Sequence, residues 1–548
     1  MQTGERIGLL RGRGLDPGPH VRRYAPDERT LLRVLRDQAD SRGDHPWLVF
    51  EGGAASLTFA QAYGLTNQVG HAVIDRVGEG AHVGLLLHNQ WEFMPTFLGA
   101  QAARGVSVPL NPDARGPLLH HVVEASEVAL IVARTDLLET LAGLDDLGGV
   151  QLVVAIGDGP PEQVNGVPVI DWDTWLDGQP TTPPRDLPAH HEMALLQFTS
   201  GTTGRQKGAV YSHHFLHLFG ALFADSQERT PDDVLMTPLP LCHVAALHLV
   251  ADTALHAGCT AHLYHRFSAT EYFQQIADSG ANWSIILGPM AAMVMKRVDE
   301  TPRHRLESLF CVPPPPEREA FEERFGVRML WQGFGMTEIF PIPMPTRMRE
   351  GVPEDTIGMP VSWMDYGVVD EHDRLLPPDT VGELVFRPLI PHGMVDGYYQ
   401  EPEATVAAFR NFMFHTGDLA TYDEDGLLHY RGRKQERIRR RGENVSALEL
   451  EFVALRNEAV VEAAAYGVPS DLGEEDVKLD VVLSRDQQLE DLHTWLKDNL
   501  PRYMVPRYLE ARPSFPKTPS ERIQKWQLKQ EPVDRPEVLD VGAGGTKR

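Results

Sequence analysis

The chain has 548 residues, 42% hydrophobic and 23% charged, which excludes a wholly disordered protein and allows one large body plus a smaller one. Its 77 acidic and 51 basic side chains leave a net charge of −26, a field that repels nucleic acid, so a phosphate-bearing ligand needs a local cationic site. Three cysteines, Cys242, Cys259 and Cys311, are too few for a disulfide framework and point to a reducing, cytoplasmic setting.

In chain order, residues 1–25 are rich in Gly, Pro and charge and predict a loose start, with Glu5, Arg6, Arg11 and Arg13 arguing against a secretory leader. His82–Leu87 reads as a buried strand and Trp91–Arg104 as the helix after it. Val106–Leu110, Val128–Ala133 and Leu152–Ile156 continue the strands. Strands alternating with helices predict an α/β body built on mainly parallel sheets. Near Val381 the texture changes: Gly382–Arg387, then Leu427–Tyr430 after the Asp425-Gly426 turn, read as antiparallel or barrel strands. From Arg431 to Arg441 there are seven basic residues and one acid. Beyond them, amphipathic helices at Ala447–Arg456 and Leu489–Leu500 flank a strand at Val477–Leu483. The expected organisation is a large multi-sheet body over 25–432, a small mobile α+β domain over 433–530, and a loose tail over 531–548. No window of about 18 residues is uncharged and apolar enough for a membrane span.

The sharpest local signal is Phe198-Thr-Ser-Gly-Thr-Thr-Gly-Arg-Gln-Lys-Gly208, entered from the apolar strand Met193–Gln197. Its hydroxyls and backbone N–H groups can surround a polyphosphate, with Lys207 as a mobile cation. It is not a Walker motif, because Gly208 stands where Ser or Thr is required. In Gln332-Gly-Phe-Gly-Met-Thr-Glu338 a carboxylate beside a hydroxyl suits a Mg²⁺ that also holds phosphate oxygens. In Phe414-His-Thr-Gly-Asp418 an aspartate in a tight turn can accept from two ribose hydroxyls. His213, His214 and His217 have helical spacing but lack a carboxylate partner, so a structural or exposed face is preferred over a metal site. No GxSxG elbow supports a serine hydrolase.

Together these segments resemble the ANL superfamily of adenylate-forming enzymes, in particular its AMP-forming acyl-CoA synthetases, and the resemblance runs from about Leu48 to Leu528. It implies a carboxylic acid as substrate and ATP, Mg²⁺ and coenzyme A as cofactors. By resemblance, Thr199, Ser200, Gly201, Thr202, Thr203, Gly204 and Lys207 grip the β- and γ-phosphates. Phe334 stacks near adenine, Thr337 touches the α-phosphate and Glu338 ligates Mg²⁺. Asp418 takes the ribose and Arg433 also reaches the nucleotide. The basic strip through Arg439-Arg-Arg-Gly442 fits coenzyme A phosphates, with Gly442 lining the pantetheine path; a solvated charged face is the competing reading. His243, in Pro238-Leu-Pro-Leu-Cys-His243, is a candidate gate of the acyl pocket, or a core histidine.

Three positions depart from the family pattern. The usual Gly-Lys of the C-terminal motif is Glu521-Arg522, and an arginine keeps the charge without the compact geometry of an ammonium. Gln435 stands at the domain hinge, and Cys311-Val-Pro-Pro-Pro-Pro316 replaces a small adenine loop. The expected function is therefore acid activation to an acyl-adenylate and transfer to coenzyme A, with Arg522 as the catalytic cation. The alternatives are an enzyme limited to one half-reaction, a non-catalytic nucleotide or acyl binder, and an amino-acid-adenylating domain. The last is disfavoured because Cys242-His243 stands where an aspartate would hold an α-ammonium. Stretches such as Arg266–Glu271 and Arg440–Ser446 resemble the carnitine/crotonobetaine CoA ligase branch, yet the expected pocket segments Ile285–Met290 and Ile339–Ile342 carry no carboxylate and predict a bulky, apolar acid. Oligomeric state is not legible.

Overall fold

The computed structural model describes residues 9–199, 206–312, 314–315, 317–343, 356–434, 437–440, 443–470, 475–484, 487–500, 502, 504–517 and 523–541. Three sheets build the N-terminal body. The first, among the described residues, has eight strands, with His82–Leu86 at its centre between Val106–Pro109 and Leu130–Arg134, all parallel. Its edge is the antiparallel pair Met193–Thr199 and Lys207–Ser212, which brackets the phosphate-loop sequence. The second has seven described strands and is parallel from Arg328–Leu330 through to Pro46–Phe50, with Ala55–Thr58 added antiparallel at the edge. The third is antiparallel, with Met364–Val369, Gly382–Pro388, Phe414–Tyr422 and Leu428–Arg433 side by side.

Buried parallel strands explain the continuous apolar runs read from the sequence. The helices are set by their caps and packing faces. Thr58 and Gln61 form a reciprocal capping box at the start of Phe59–Val77. That helix lies so close to Phe93–Ala102 that a Cβ on Gly99 would collide with Val69. His213–Ser226 is capped by the Ser212 hydroxyl, and every one of its residues is buried. A helix apolar or buried on all sides belongs between layers.

The described residues 9–25 and 531–541 make contacts that their composition did not predict. Leu10–Arg11 pairs antiparallel with Asp365 and Tyr366, and Asp225 accepts from the backbone N–H groups of His20 and Val21. The C-terminal sheet runs Val460–Pro469, Glu475–Leu483, Tyr508–Ala511, Val538–Asp540. Its last strand lies within residues expected as a loose tail. Arg507 holds Asp540 at 3.1 Å, and Arg535 holds Glu510 at 2.6 Å, charged contacts that composition alone does not reveal. At the centre of this sheet Lys478, fully buried, is 2.6 Å from Glu510 and 3.2 Å from Asp480. Lys478 is therefore paired as a buried charge must be.

The expected histidine face is buried, not exposed: His213, His214 and His217 are at most 3% accessible. His217 meets His256 edge-on with ring centroids 4.5 Å apart, and neither ring nitrogen of His217 has a hydrogen-bond partner among the described residues. Burial pushes the pKa of His213 down to about 3 and of His214 to about 4, and lowers those of His217 and His256 as well. A histidine whose folded pKa is depressed contributes stability above its ordinary pKa and loses it as pH falls, by up to about 1.4 kcal/mol per pH unit for each group. The thermal midpoint should therefore drop on acidification from pH about 7 to 5. His217→Leu should make that decline shallower in calorimetry; an unchanged slope would contradict the assignment.

Candidate active site

The sequence Phe334–Met336, Thr337-Glu338, Ile339–Ile342 folds as a tight hairpin, which places Thr337 and Glu338 in the turn. Tyr211, from the strand that follows the phosphate loop, donates its hydroxyl to the Thr337 carbonyl and fixes the turn against the eight-stranded sheet. A second segment closes over that strand. Asp396 N–H bonds Val210 O at 3.0 Å, Val210 N–H bonds Gly397 O at 2.9 Å, and Tyr399 N–H bonds Gly208 O at 2.8 Å.

This clamp sets Tyr398 between the two charged residues of the site. Its hydroxyl donates to Glu338 Oε1 at 2.8 Å, and Lys207 Nζ stands 5.0 Å from its ring centroid. Tyr398 stands outside the motifs legible in the sequence; its one signal there is the aromatic pair after Gly397 in Gly-Tyr-Tyr399. Tyr398→Phe should raise the KM for ATP about tenfold, near the ~1.5 kcal/mol of one hydrogen bond to a charged group, with little change in thermal midpoint. An unchanged KM would show that the contact is structural only.

Glu338 is 5% exposed. Burial raises its pKa, opposed by the Tyr398 hydroxyl and by the charges of Arg433 and Lys207. No Lys or Arg nitrogen among the described residues lies within 4.0 Å of its carboxylate. A desolvated carboxylate held by one phenol is matched to a hard cation. Among the described residues no cluster of three or more His, Cys, Asp or Glu could hold a metal alone. The donor set thus fits Mg²⁺ shared with phosphate oxygens rather than a protein-only cage.

The ribose and adenine candidates lie on neighbouring elements. Asp418, 3% exposed, follows Gly417, whose φ of +71° makes the turn that glycine favours. Its Oδ1 accepts from Tyr430 Oη at 3.1 Å and lies 3.3 Å from Arg433 Nε, the residue opposite it across the hairpin. Glu383 anchors the same turn by accepting from Gly417 N–H at 3.2 Å, and is 3.0 Å from Lys434 Nζ. Burial alone would raise Glu383, but His415 and Lys434 hold it down to about 2. Phe334 is half-buried and stacks on Phe386 at 5.9 Å.

Of the other sequence-derived candidates, Thr199 faces Lys207 across the strand pair. Ser200, Gly201, Thr202, Thr203, Gly204, Gln435, Gly442 and Arg522 lie outside the described residues, as do Pro313 and Pro316. His243 is half-exposed rather than a core histidine: its Nδ1 accepts from Ala245 N–H at 3.4 Å and caps the short helix Val244–Ala246. Its segment is tied to the strand before the phosphate loop, because Gln197 Nε2 donates to Cys242 O at 3.0 Å.

A lysine at a phosphate-type loop, a buried carboxylate beside Thr337 and an Asp-Arg pair on the adjoining sheet form one constellation. The family model for the AMP-binding enzyme matches residues 35–399, and that for the AMP-binding enzyme C-terminal domain matches 449–522. The chain belongs to the AMP-binding enzyme family. It is similar to crotonobetaine/carnitine–CoA ligases from Salmonella arizonae and Citrobacter koseri, each 28% identical over 91% of this chain and 98% of the relative. Among solved structures it is similar in fold to an anthranilate CoA ligase in complex with anthranoyl-AMP, with a TM-score of 0.83, 22% identity, and 92% and 98% of the two chains covered. A benzoate CoA ligase from Burkholderia xenovorans has a TM-score of 0.78 at 21% identity over 91% and 99%. The reaction class is that of an AMP-forming acid–thiol ligase, with ATP, Mg²⁺ and coenzyme A as cofactors. No described helix is long and apolar enough to cross a membrane.

Proposed function

We propose that the acid activated by this family member is a bulky, largely apolar monocarboxylic acid, and that chemistry runs at the Thr337-Glu338 turn. The carrying observation is the arrangement of Lys207, Tyr398 and Glu338 beside Thr337, and the expected pocket residues Ile285, Ile286, Met290 and Ile339 are all apolar and buried. Lys207 with Thr199–Gly204 holds the terminal phosphates, Thr337 the α-phosphate, Asp418 the ribose hydroxyls, and Phe334 and Arg433 the remainder of the nucleotide. Glu338 would hold Mg²⁺, which supplies charge neutralisation at the phosphates. In the first step a carboxylate oxygen bonds to the α-phosphorus as the bond to pyrophosphate breaks. In the second the thiol sulfur bonds to the acyl carbon, AMP leaves, and the thiol proton passes to solvent or phosphate. Protein groups act by position and charge, as in other phosphoryl chemistry.

The domain division at about 432/433 and the roles of Arg522 and Gly442 belong to the same proposal, with the small domain extended to the strand ending at Asp540. Three free, buried cysteines support a reducing, cytoplasmic setting. Acid-dependent pyrophosphate release across a panel tests the substrate class. Hydrophobic monocarboxylic acids should outrun acetate, α-amino acids and carnitine; faster turnover with carnitine or an amino acid than with every hydrophobic acid would sink it.

A further inference from the structure

Lys207 has Gln206 and Gly208 on either side of it, and the backbone carbonyl of each is held from outside the strand pair. Gly208 O accepts from Tyr399 N–H at 2.8 Å. Gln206 O lies 2.8 Å from His121 Nε2, a ring nitrogen on the helix Gly116–Ala125. A carbonyl oxygen only accepts, so Nε2 is the donor. That helix carries Pro117 in its first turn and buries Leu119, Val122 and Val123. Half-buried His121 is left to meet the strand pair.

The same imidazole reaches the other strand. It meets the Phe198 ring edge-on, with centroids 6.4 Å apart. Phe198 opposes Gly208 in register, and a Cβ on Gly208 would come within 3.2 Å of that ring, so the ring lies against the backbone next to Lys207. One histidine thus touches Phe198 on the strand entering the phosphate-loop sequence and Gln206 on the strand leaving it. The Tyr399 side is tied to the same region: Tyr399 Oη donates to Glu127 Oε2 at 2.6 Å, two residues beyond the end of the His121 helix. Side chains alternate along a strand, so holding Gln206 and Gly208 fixes the face from which Lys207 leaves it. On that face its Nζ stands 5.0 Å from the Tyr398 ring centroid.

We propose that His121 is a positioning residue for the adenylation half-reaction: by holding the Gln206 carbonyl and the Phe198 ring, it sets the strand from which Lys207 reaches the terminal phosphates of ATP. This rests on the reading of Lys207 as the phosphate cation and adds to it a residue outside the motifs legible in the sequence. Pyrophosphate has left before the thiol attacks, so a residue acting through Lys207 serves the first step and not the second.

The test compares the two half-reactions of the full chain, pyrophosphate release with ATP, Mg²⁺ and acid, and thioester formation from a supplied acyl-adenylate and coenzyme A. Lys207→Ala should raise the KM for ATP by at least about tenfold. His121→Phe, which keeps a ring and removes the donor, should raise it about three- to tenfold, the effect of one lost hydrogen bond, and leave thioester formation unchanged. His121→Gln, whose amide N–H can replace Nε2–H, should restore the wild-type KM. Adding His121→Phe to Lys207→Ala should cause no further rise, because the histidine acts through the lysine. An unchanged KM in His121→Phe overturns the proposal, as do equal losses in both half-reactions or an additive double variant. Should His121→Phe fail to fold, His121→Asn, whose shorter amide does not match Nε2, takes its place with the same expectations. A wild-type KM in Lys207→Ala overturns the reading of Lys207 and this proposal with it.

Discussion

Glu338→Gln should lower acid-dependent pyrophosphate release by about 10²–10³-fold, the usual effect of removing one charge contact that acts in a transition state. Glutamine keeps the shape and can still accept from Tyr398, whose hydroxyl lies 2.8 Å from Oε1, so the change is confined to charge. The thermal midpoint should stay the same or rise. Burial lifts the Glu338 pKa, so above that pKa the folded state carries a desolvated anion that the unfolded state does not. The contribution is most favourable at low pH and is lost as pH rises through the folded pKa. Loss of activity with retained stability separates a functional carboxylate from a structural one. Equal falls in midpoint and rate would mean that Glu338 serves the hairpin, and wild-type release by the variant would remove it from the metal site.

Arg522→Ala should slow adenylation by about 10²–10³-fold while sparing thioester formation from a supplied acyl-adenylate. The expectation follows from a resemblance in which one domain face serves each half-reaction, so this residue serves only the first. The guanidinium in place of the family's lysine also admits an enzyme that has lost that step. Wild type would then show negligible pyrophosphate exchange, convert supplied acyl-adenylate to acyl-CoA, and regain exchange in Arg522→Lys combined with Glu521→Gly. A complete ligase is the better reading, because Lys207, Thr337, Glu338 and Asp418 are kept, and Glu338 is kept even though it is buried. Equal loss of both half-reactions in Arg522→Ala would contradict both versions.

Much of the fold was legible because its signals are local. His82–Leu86 and Leu152–Ile156 are short apolar runs that only a doubly covered strand accommodates, and Phe93–Ala102 follows the first of them where a crossover helix is required. The Asp425-Gly426 turn likewise announced the strand Leu428–Arg433. What was missed depends on contacts between distant segments. Tyr398 is 60 residues from the Glu338 it bonds, and no periodicity marks an aromatic in a loop. Asp252 reads in sequence as one polar residue in an apolar run, and only the structure shows it buried in a π-helical turn against His248. The ordered C-terminal strand escaped because its charged residues suggest solvent, whereas Arg507 and Arg535 fold them onto the sheet.

The central claim is acid activation through an adenylate, and the direct measurement is the product balance of the full chain with ATP, Mg²⁺, coenzyme A and the best bulky, apolar monocarboxylic acid of the panel. AMP, pyrophosphate and acyl-CoA should form in equal amounts and only when the acid is present. ADP with inorganic phosphate, or nucleotide turnover indifferent to the acid, would contradict it.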